Sequence, residues 1–136
     1  MSIREKAIKN FTEKKYNCCQ AVVCAYCEEY GIDDEAIFKL AEGFGGGMGG
    51  MQDACGAATG MFMAIGMANS AGEKDNPLIT KMDTYKMVSE SAASFEEKCG
   101  SLYCRDIKRI VDGVQKVSCK ECVEMGASIL EEYLNK

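Results

Sequence analysis

The chain has 136 residues and a net charge of -5, with 47% hydrophobic and 27% charged residues, nine cysteines, and no histidine or tryptophan. Basic residues cluster no further than pairs such as Lys14-Lys15 and Lys108-Arg109. That excludes a nucleic-acid partner, which needs a concentrated positive face, and the lack of histidine leaves chemistry to sulfur and carboxylates.

A chain of this length reads as one domain over residues 1–136, able to bury about two-thirds of its surface without disulfides or a structural metal. The stretch from Met1 to Lys6 lacks the apolar core of a signal peptide, so a cytoplasmic location is expected. Thiols are kept reduced there, and an odd number of cysteines cannot all pair. No charge falls between Asp53 and Glu73, nearly the length of a membrane span. The segment is rich in Ala, Gly, Thr, Ser and Asn, however, and reads as a buried central helix; no membrane span is expected.

In chain order the pattern is helical nearly throughout. Ser2-x-x-Glu5 is a capping box, followed by Ile3, Ala7 and Phe11 at helical spacing. Asn17 caps a second helix that runs to Tyr30 and stops at Gly31. Asp33 or Asp34 starts a short third helix over 36–42, which the tract Gly43-Phe44-Gly45-Gly46-Gly47-Met48-Gly49-Gly50 ends. Gln52 or Asp53 opens the central helix, lasting to Asn69. Asn76-Pro77 begins another, with Leu78, Met82, Tyr85, Val88, Ala92, Phe95 and Cys99 in one arc. Ser101 caps a sixth with Ile107, Ile110, Val111 and Val114 on one face. Ser118-x-x-Glu121 opens the last, whose stripe is Cys122, Val123, Gly126, Ile129, Leu130 and Tyr133. The expected fold is all-α: six to seven helices around a central helix rich in small residues. Gly56-x-x-x-Gly60 within that helix implies close approach of another helix or of a second copy, so a homodimer is compatible with it.

Four cysteines fall in the first turns of these helices: Cys18, Cys55, Cys104 and Cys119. Unpaired backbone N–H groups and the helix dipole there favour the thiolate, the reactive and ligating form of cysteine. Convergence of the four ends would create a site for a tetrathiolate iron–sulfur cluster, for a four-thiolate zinc ion, or for two dithiol couples. Cys24-x-x-Cys27 reads as structural or surface thiols and Cys99 as core. Whether Cys19 replaces Cys18, or Cys122 replaces Cys119, stays open at this level. The methionines crowding 48–67 read as core filler. Gly45-x-Gly47-x-x-Gly50 fits a dinucleotide loop only if a strand precedes it, and a helix is expected there; the tract reads as backbone that passes close to something.

The ordered elements Tyr16-Asn17-Cys18-Cys19-Gln20-Ala21-Val22, the 43–50 glycine tract, Cys55-Gly56-Ala57-Ala58-Thr59-Gly60, Phe95 through Gly100-Ser101-x-x-Cys104-Arg105, and Cys119-x-x-x-Val123 carry a resemblance. The sequence resembles the C-GCAxxG-C-C family of small proteins to which redox activity is attributed. Matched by motif, the family's cysteines are Cys18, Cys55, Cys104 and Cys119. The family is also similar to a domain of split-Soret cytochromes c, which carry haem and an iron–sulfur centre. Without histidine or C-x-x-C-His the haem does not transfer, whereas a cluster could.

The resulting expectation is an electron-transferring protein with an iron–sulfur cluster on those four cysteines and an unidentified redox partner protein. Gly56 and the glycine tract would bring backbone N–H groups to the sulfurs, and Arg105 would offset negative charge. The alternatives are an enzyme-like, metal-free thiol–disulfide relay with Cys55 as nucleophile, a zinc-binding structural or storage protein, and an interaction domain with ordinary buried cysteines.

Overall fold

The structure, a computed structural model, describes residues 1–108, 110–111, 114–115 and 117–135. It is all-α: α1 (Ile3–Thr12), α2 (Cys18–Tyr30), α3 (Glu35–Glu42), the single turn α4 (Gly45–Met48), α5 (Gly56–Asn69), α6 (Lys81–Cys99), the single turn α7 (Cys104–Ile107) and α8 (Cys119–Leu134). Among the described residues the strand content is a minimal antiparallel ladder, β1 (Ile110–Val111) with β2 (Val114–Gln115), and an isolated Ala54–Tyr103 bridge.

The starts of α1, α2 and α8 are set by side-chain caps that the sequence announces. Ser2 accepts from the Glu5 N–H, Ser118 accepts from the Glu121 N–H, and Asn17 and Gln20 form a reciprocal capping box. Gly31 ends α2 in the left-handed conformation, at φ 65°.

α5 is the central element, packed against α2, α8 and α6, with α1 closing over α2 and α8. Its small residues explain how. A Cβ on Gly60 would lie 2.7 Å from the Cys19 carbonyl oxygen, and one on Gly56 would lie 3.0 Å from the Cys19 nitrogen. On the other flank, a Cβ on Gly126 of α8 would lie 3.0 Å from the Ala57 carbonyl oxygen. The partner of the glycine pair is thus α2 of the same chain, and the three helices meet backbone to backbone. Among the described residues, no helix is long and apolar enough to cross a membrane.

Three boundaries differ from expectation. α5 starts at Gly56 rather than at Gln52 or Asp53, with Cys55 as its N-cap residue. α6 starts at Lys81, and Asn76-Pro77 sits in a turn held by the Thr80 hydroxyl, which accepts from the Ala71 N–H at 3.0 Å. Leu78 and Ile79 are 68% and 55% exposed, so no core contact supports extending the helix across them. The sixth helix is cut to one turn. Ser101 does not cap it, because the chain there runs extended against 52–55. Cys55 N–H donates to the Leu102 carbonyl at 2.7 Å, and Cys104 N–H to the Asp53 carbonyl at 2.7 Å. Beyond α7, Ile110, Val111 and Val114 lie in the ladder rather than on a helix face. The parts of the expected helix at Arg109, Asp112 and Gly113 lie outside the described residues.

The packing yields a paired prediction. Gly60→Ala places a methyl group against carbonyl oxygen and costs about 1–3 kcal/mol through overpacking, more than the ~1 kcal/mol that alanine contributes to helix propensity. Gly66 of the same helix faces open space, so Gly66→Ala stabilises. Thermal melts should move down for the first variant and up for the second, each by a few degrees.

Candidate functional site

The four helix-start cysteines converge. Cys18, Cys55, Cys104 and Cys119 line one cavity of about 160 Å³, together with Cys122, Gly46, Gly47, Gly56, Asn17, Lys108, Phe11 and Ile107. Cys18, Cys104 and Cys119 are the first residues of α2, α7 and α8, and Cys55 is the N-cap residue of α5.

Each wall has a local cause. Asn17 caps α2 and its Nδ2 also donates to the Glu42 carbonyl at 3.1 Å, so the end of α3 is tied to the start of α2. From Gly46 to Gly50 every residue has positive φ, including Met48 at 68°. This left-handed turn folds back so that Asp53 N–H donates to the Gly47 carbonyl at 2.9 Å. Gly47 needs its glycine twice over: its φ is +75°, and a Cβ would lie 2.7 Å from the Cys104 Cβ. Gly56 is similar, since its Cβ would lie 3.1 Å from that of Cys18. The glycines are therefore the floor of the thiol cavity. The fold also answers the dinucleotide motif, because the helix α3, not a strand, precedes the tract.

The thiols are not equivalent. Cys18 and Cys119 share a hydrogen bond, Cys18 donating, which holds the Cys119 thiol down at about 6 against the opposing effect of burial. Lys108 and the backbone N–H of Cys119 act in the same direction. The same bond, and burial, push Cys18 up. Cys122 donates to Cys55 and holds it at about 7, again against burial. The N–H groups of Ala57 and Ala58 also point at the Cys55 sulfur without closing a capping hydrogen bond, which is the helix-terminus effect acting on a thiolate. Cys122 is pushed up by its bonds to Cys55 and Cys99 and by burial. Burial raises Cys104, and Lys108 opposes it.

Among the described residues that line this cavity, Lys108 is the cation, its own pKa raised by Cys104, Cys119 and Cys18. Arg105, expected in that role, turns outward. It lies 3.5 Å from an Asp53 carboxylate oxygen and 4.6 Å from the Tyr103 ring centroid. Periodicity carries the signal for Lys108, which follows Cys104 by four residues and so shares its side of the turn.

The cysteine ambiguities resolve in different ways. Cys19 points away from the cavity, its thiol 3.8 Å from the Met63 sulfur and its pKa raised by burial to about 11. Cys122 does not replace Cys119; both reach the cavity. Cys24 and Cys27 are fully buried core thiols rather than surface ones, raised by burial to about 12 and about 11.

A helical bundle that delivers a cysteine from each of four helix starts to one glycine-floored cavity defines a thiol-site protein. The chain belongs to the C-GCAxxG-C-C family, whose model, described as "Putative redox-active protein", matches residues 16–133. It is also similar to an uncharacterized protein of Archaeoglobus fulgidus, 27% identical over 138 residues, covering 97% of this chain and 91% of that one. No solved structure matches.

The thiol order can be tested by alkylation of reduced, chelator-treated protein. Cys119 and Cys55 are thiolates above about pH 6 and about pH 7 and become protonated below those values. Their modification should therefore rise across pH 5–8, while Cys19, Cys24 and Cys27 stay unmodified throughout. Lys108→Met removes a cation that favours the thiolate, so the Cys119 midpoint should move to higher pH. Peptide mass mapping reads both results.

Proposed function

We propose that the protein is an electron carrier in which Cys18, Cys55, Cys104 and Cys119 hold an iron–sulfur cluster. The observation that carries this reading is the meeting of four thiols, from four separate helix starts, around a single glycine-floored cavity. Such a cluster is bound by four cysteine thiolates, bears negative charge and is tuned by N–H groups near its sulfurs. The donor set fits: four thiols, the Ala57 and Ala58 N–H groups, and one lysine. A four-thiolate zinc ion would draw on the same donors.

When bound, the cluster supplies single-electron uptake and release. The chain's own residues do the rest. The Gly46–Gly47 backbone admits the group beside Cys104, Lys108 offsets thiolate charge, and Phe11 and Ile107 limit water in the cavity. Exposed Met51 and Tyr103 lie on the segments leading to Cys55 and Cys104. A redox partner protein in the cytoplasm would approach over that side.

One observation favours a second reading, a metal-free thiol–disulfide relay. Cys18 and Cys119 line the same cavity and shift each other in opposite directions, Cys119 down and Cys18 up. Cys119, rather than Cys55, would then attack a substrate disulfide, and Cys18 would resolve the mixed disulfide.

Anaerobic purification with iron and acid-labile sulfide assays decides between them. The expected result is a brown protein with matching iron and sulfide, which Cys→Ser changes at 18, 55, 104 or 119 deplete and Cys24→Ser or Cys27→Ser leave in place. An iron-free, colourless protein with a Cys18–Cys119 disulfide would establish the relay instead.

A further inference from the structure

The glycines of α5 are used inside the chain, against α2, but α6 keeps an apolar face uncovered. It buries Ser91, Phe95 and Cys99 on one side. On the other, Met82 and Tyr85 are 70% and 56% exposed, and Leu78 and Ile79, just before the helix, are 68% and 55% exposed. Exposed apolar residues scattered singly need no explanation, whereas a contiguous group on one face does. At about 100° per residue, Met82, Tyr85, Ser89, Ala93 and Glu96 fall in one narrow arc, opposite Ser91.

Two orders run along this face. The apolar side chains are large at its start and small further on, where Ser89, Ala92 and Ala93 stand. The charges change sign, with Lys81 and Lys86 first and Glu96 and Glu97 last. Among the described residues, none of these four has an ion-pair partner in its own chain. The charges that break the order are turned away: Lys98 pairs with Glu132 of α8 at 3.8 Å, and Asp83 lies about 100° round the helix from Met82, toward α5 and α8.

We propose that a second copy of this chain docks on α6, the two helices antiparallel about a two-fold axis near Ser89. Turning the helix end for end lays its large half over the small half and its basic half over the acidic half. Tyr85 of one copy then meets Ala92 of the other, and Met82 meets Ala93. Leu78 comes over Gly100, where an added Cβ would meet nothing in its own chain. Lys81 faces Glu96 on one flank of the seam and Lys86 faces Glu97 on the other, each pair occurring twice. A parallel pairing would set lysine against lysine and glutamate against glutamate, which is unfavourable, so the charge order selects the antiparallel one. A contact of a surface with itself closes as a dimer. Among the described residues, none from α6 lines the thiol cavity, so the contact is independent of what that cavity holds.

Sedimentation equilibrium of the full chain as purified, over a concentration series, tests this. The expected species at the upper end has twice the chain mass of 14.8 kDa. Tyr85→Glu should raise the dissociation constant at least about tenfold, as loss of a central aromatic contact does. Lys86→Glu and Glu97→Lys should each weaken the dimer about three- to tenfold, and the double change should return it to within about threefold of the wild type, since both partners reverse together. Leu40→Glu, at an equally exposed apolar position on α3, should leave it unchanged. Helical circular dichroism matching the wild type shows that each variant folds. A wild-type chain that stays at 14.8 kDa throughout, a dimer indifferent to Tyr85→Glu, or a double change no tighter than the single ones would overturn the proposal. Mass is the readout, so the outcome is separate from that of the iron and sulfide assays.

Discussion

The contact between α2 and α5 is made through backbone rather than side chains, and the cavity depends on it. At Gly60 and Gly56 the helices approach until any Cβ would strike the Cys19 backbone. That approach sets the start of α5 beside the start of α2, which is why Cys55 and Cys18 face one hollow. The Cys104 side is fixed by another main-chain contact, the pairing of 52–55 with 102–105. With both in place, α8 needs only its Ser118 cap and its Gly126 contact with Ala57 to bring Cys119 in. Positions set by main-chain hydrogen bonds and glycine contacts have little freedom to drift, as suits a site that must hold several sulfurs at once.

Much of this was legible from residue types. The caps at Ser2, Asn17 and Ser118 and the stop at Gly31 are short-range signals with short-range causes, and α1, α2 and α8 begin where those residues stand. The four helix-start cysteines were legible for the same reason, although Cys55 proves to be the N-cap rather than a residue inside the helix. What failed was whatever long-range pairing decides. The 101–115 segment has helical periodicity, but residues 102–105 satisfy their backbone groups against 52–55, some fifty positions away. Local pattern cannot show such a partner. Likewise Leu78 and Met82 fit an apolar arc, yet both are about 70% exposed. The Asp-Gly pair between Val111 and Val114 is a hairpin signal that a helical reading passes over.

Which cysteines face the cavity was the hardest part to read, since adjacent helical positions differ by about 100° in direction. Cys18 and Cys19 are separated by that angle, and the Gly60 contact with Cys19 turns Cys19 into the α2–α3 side of the core. Cys119 and Cys122, three apart, share a face, so the structure accepts both. The surplus cysteines are thus sorted by helix phase: Cys122 joins the cavity, while Cys19, Cys24, Cys27 and Cys99 are left in the interior.

Charge completes the account. Four thiolates around a hollow of about 160 Å³, with Lys108 the cation among the described lining residues, would repel one another strongly in a low-dielectric setting. The thiols avoid this by sharing protons. The contact between Cys18 and Cys119 pushes the first up and the second down, and that between Cys122 and Cys55 does the same, so each lowered thiol faces a sulfur that holds its proton more tightly. The two anions lie where positive potential is available, Cys119 near Lys108 and Cys55 at the start of α5. The same logic explains why a chain without histidine can build a sulfur site, with helix N–H groups and Lys108 supplying positive potential. A cationic centre entering the cavity would replace the retained protons and release them as it bound. The protons now shared between sulfurs thus occupy the electrostatic place that such a centre would take.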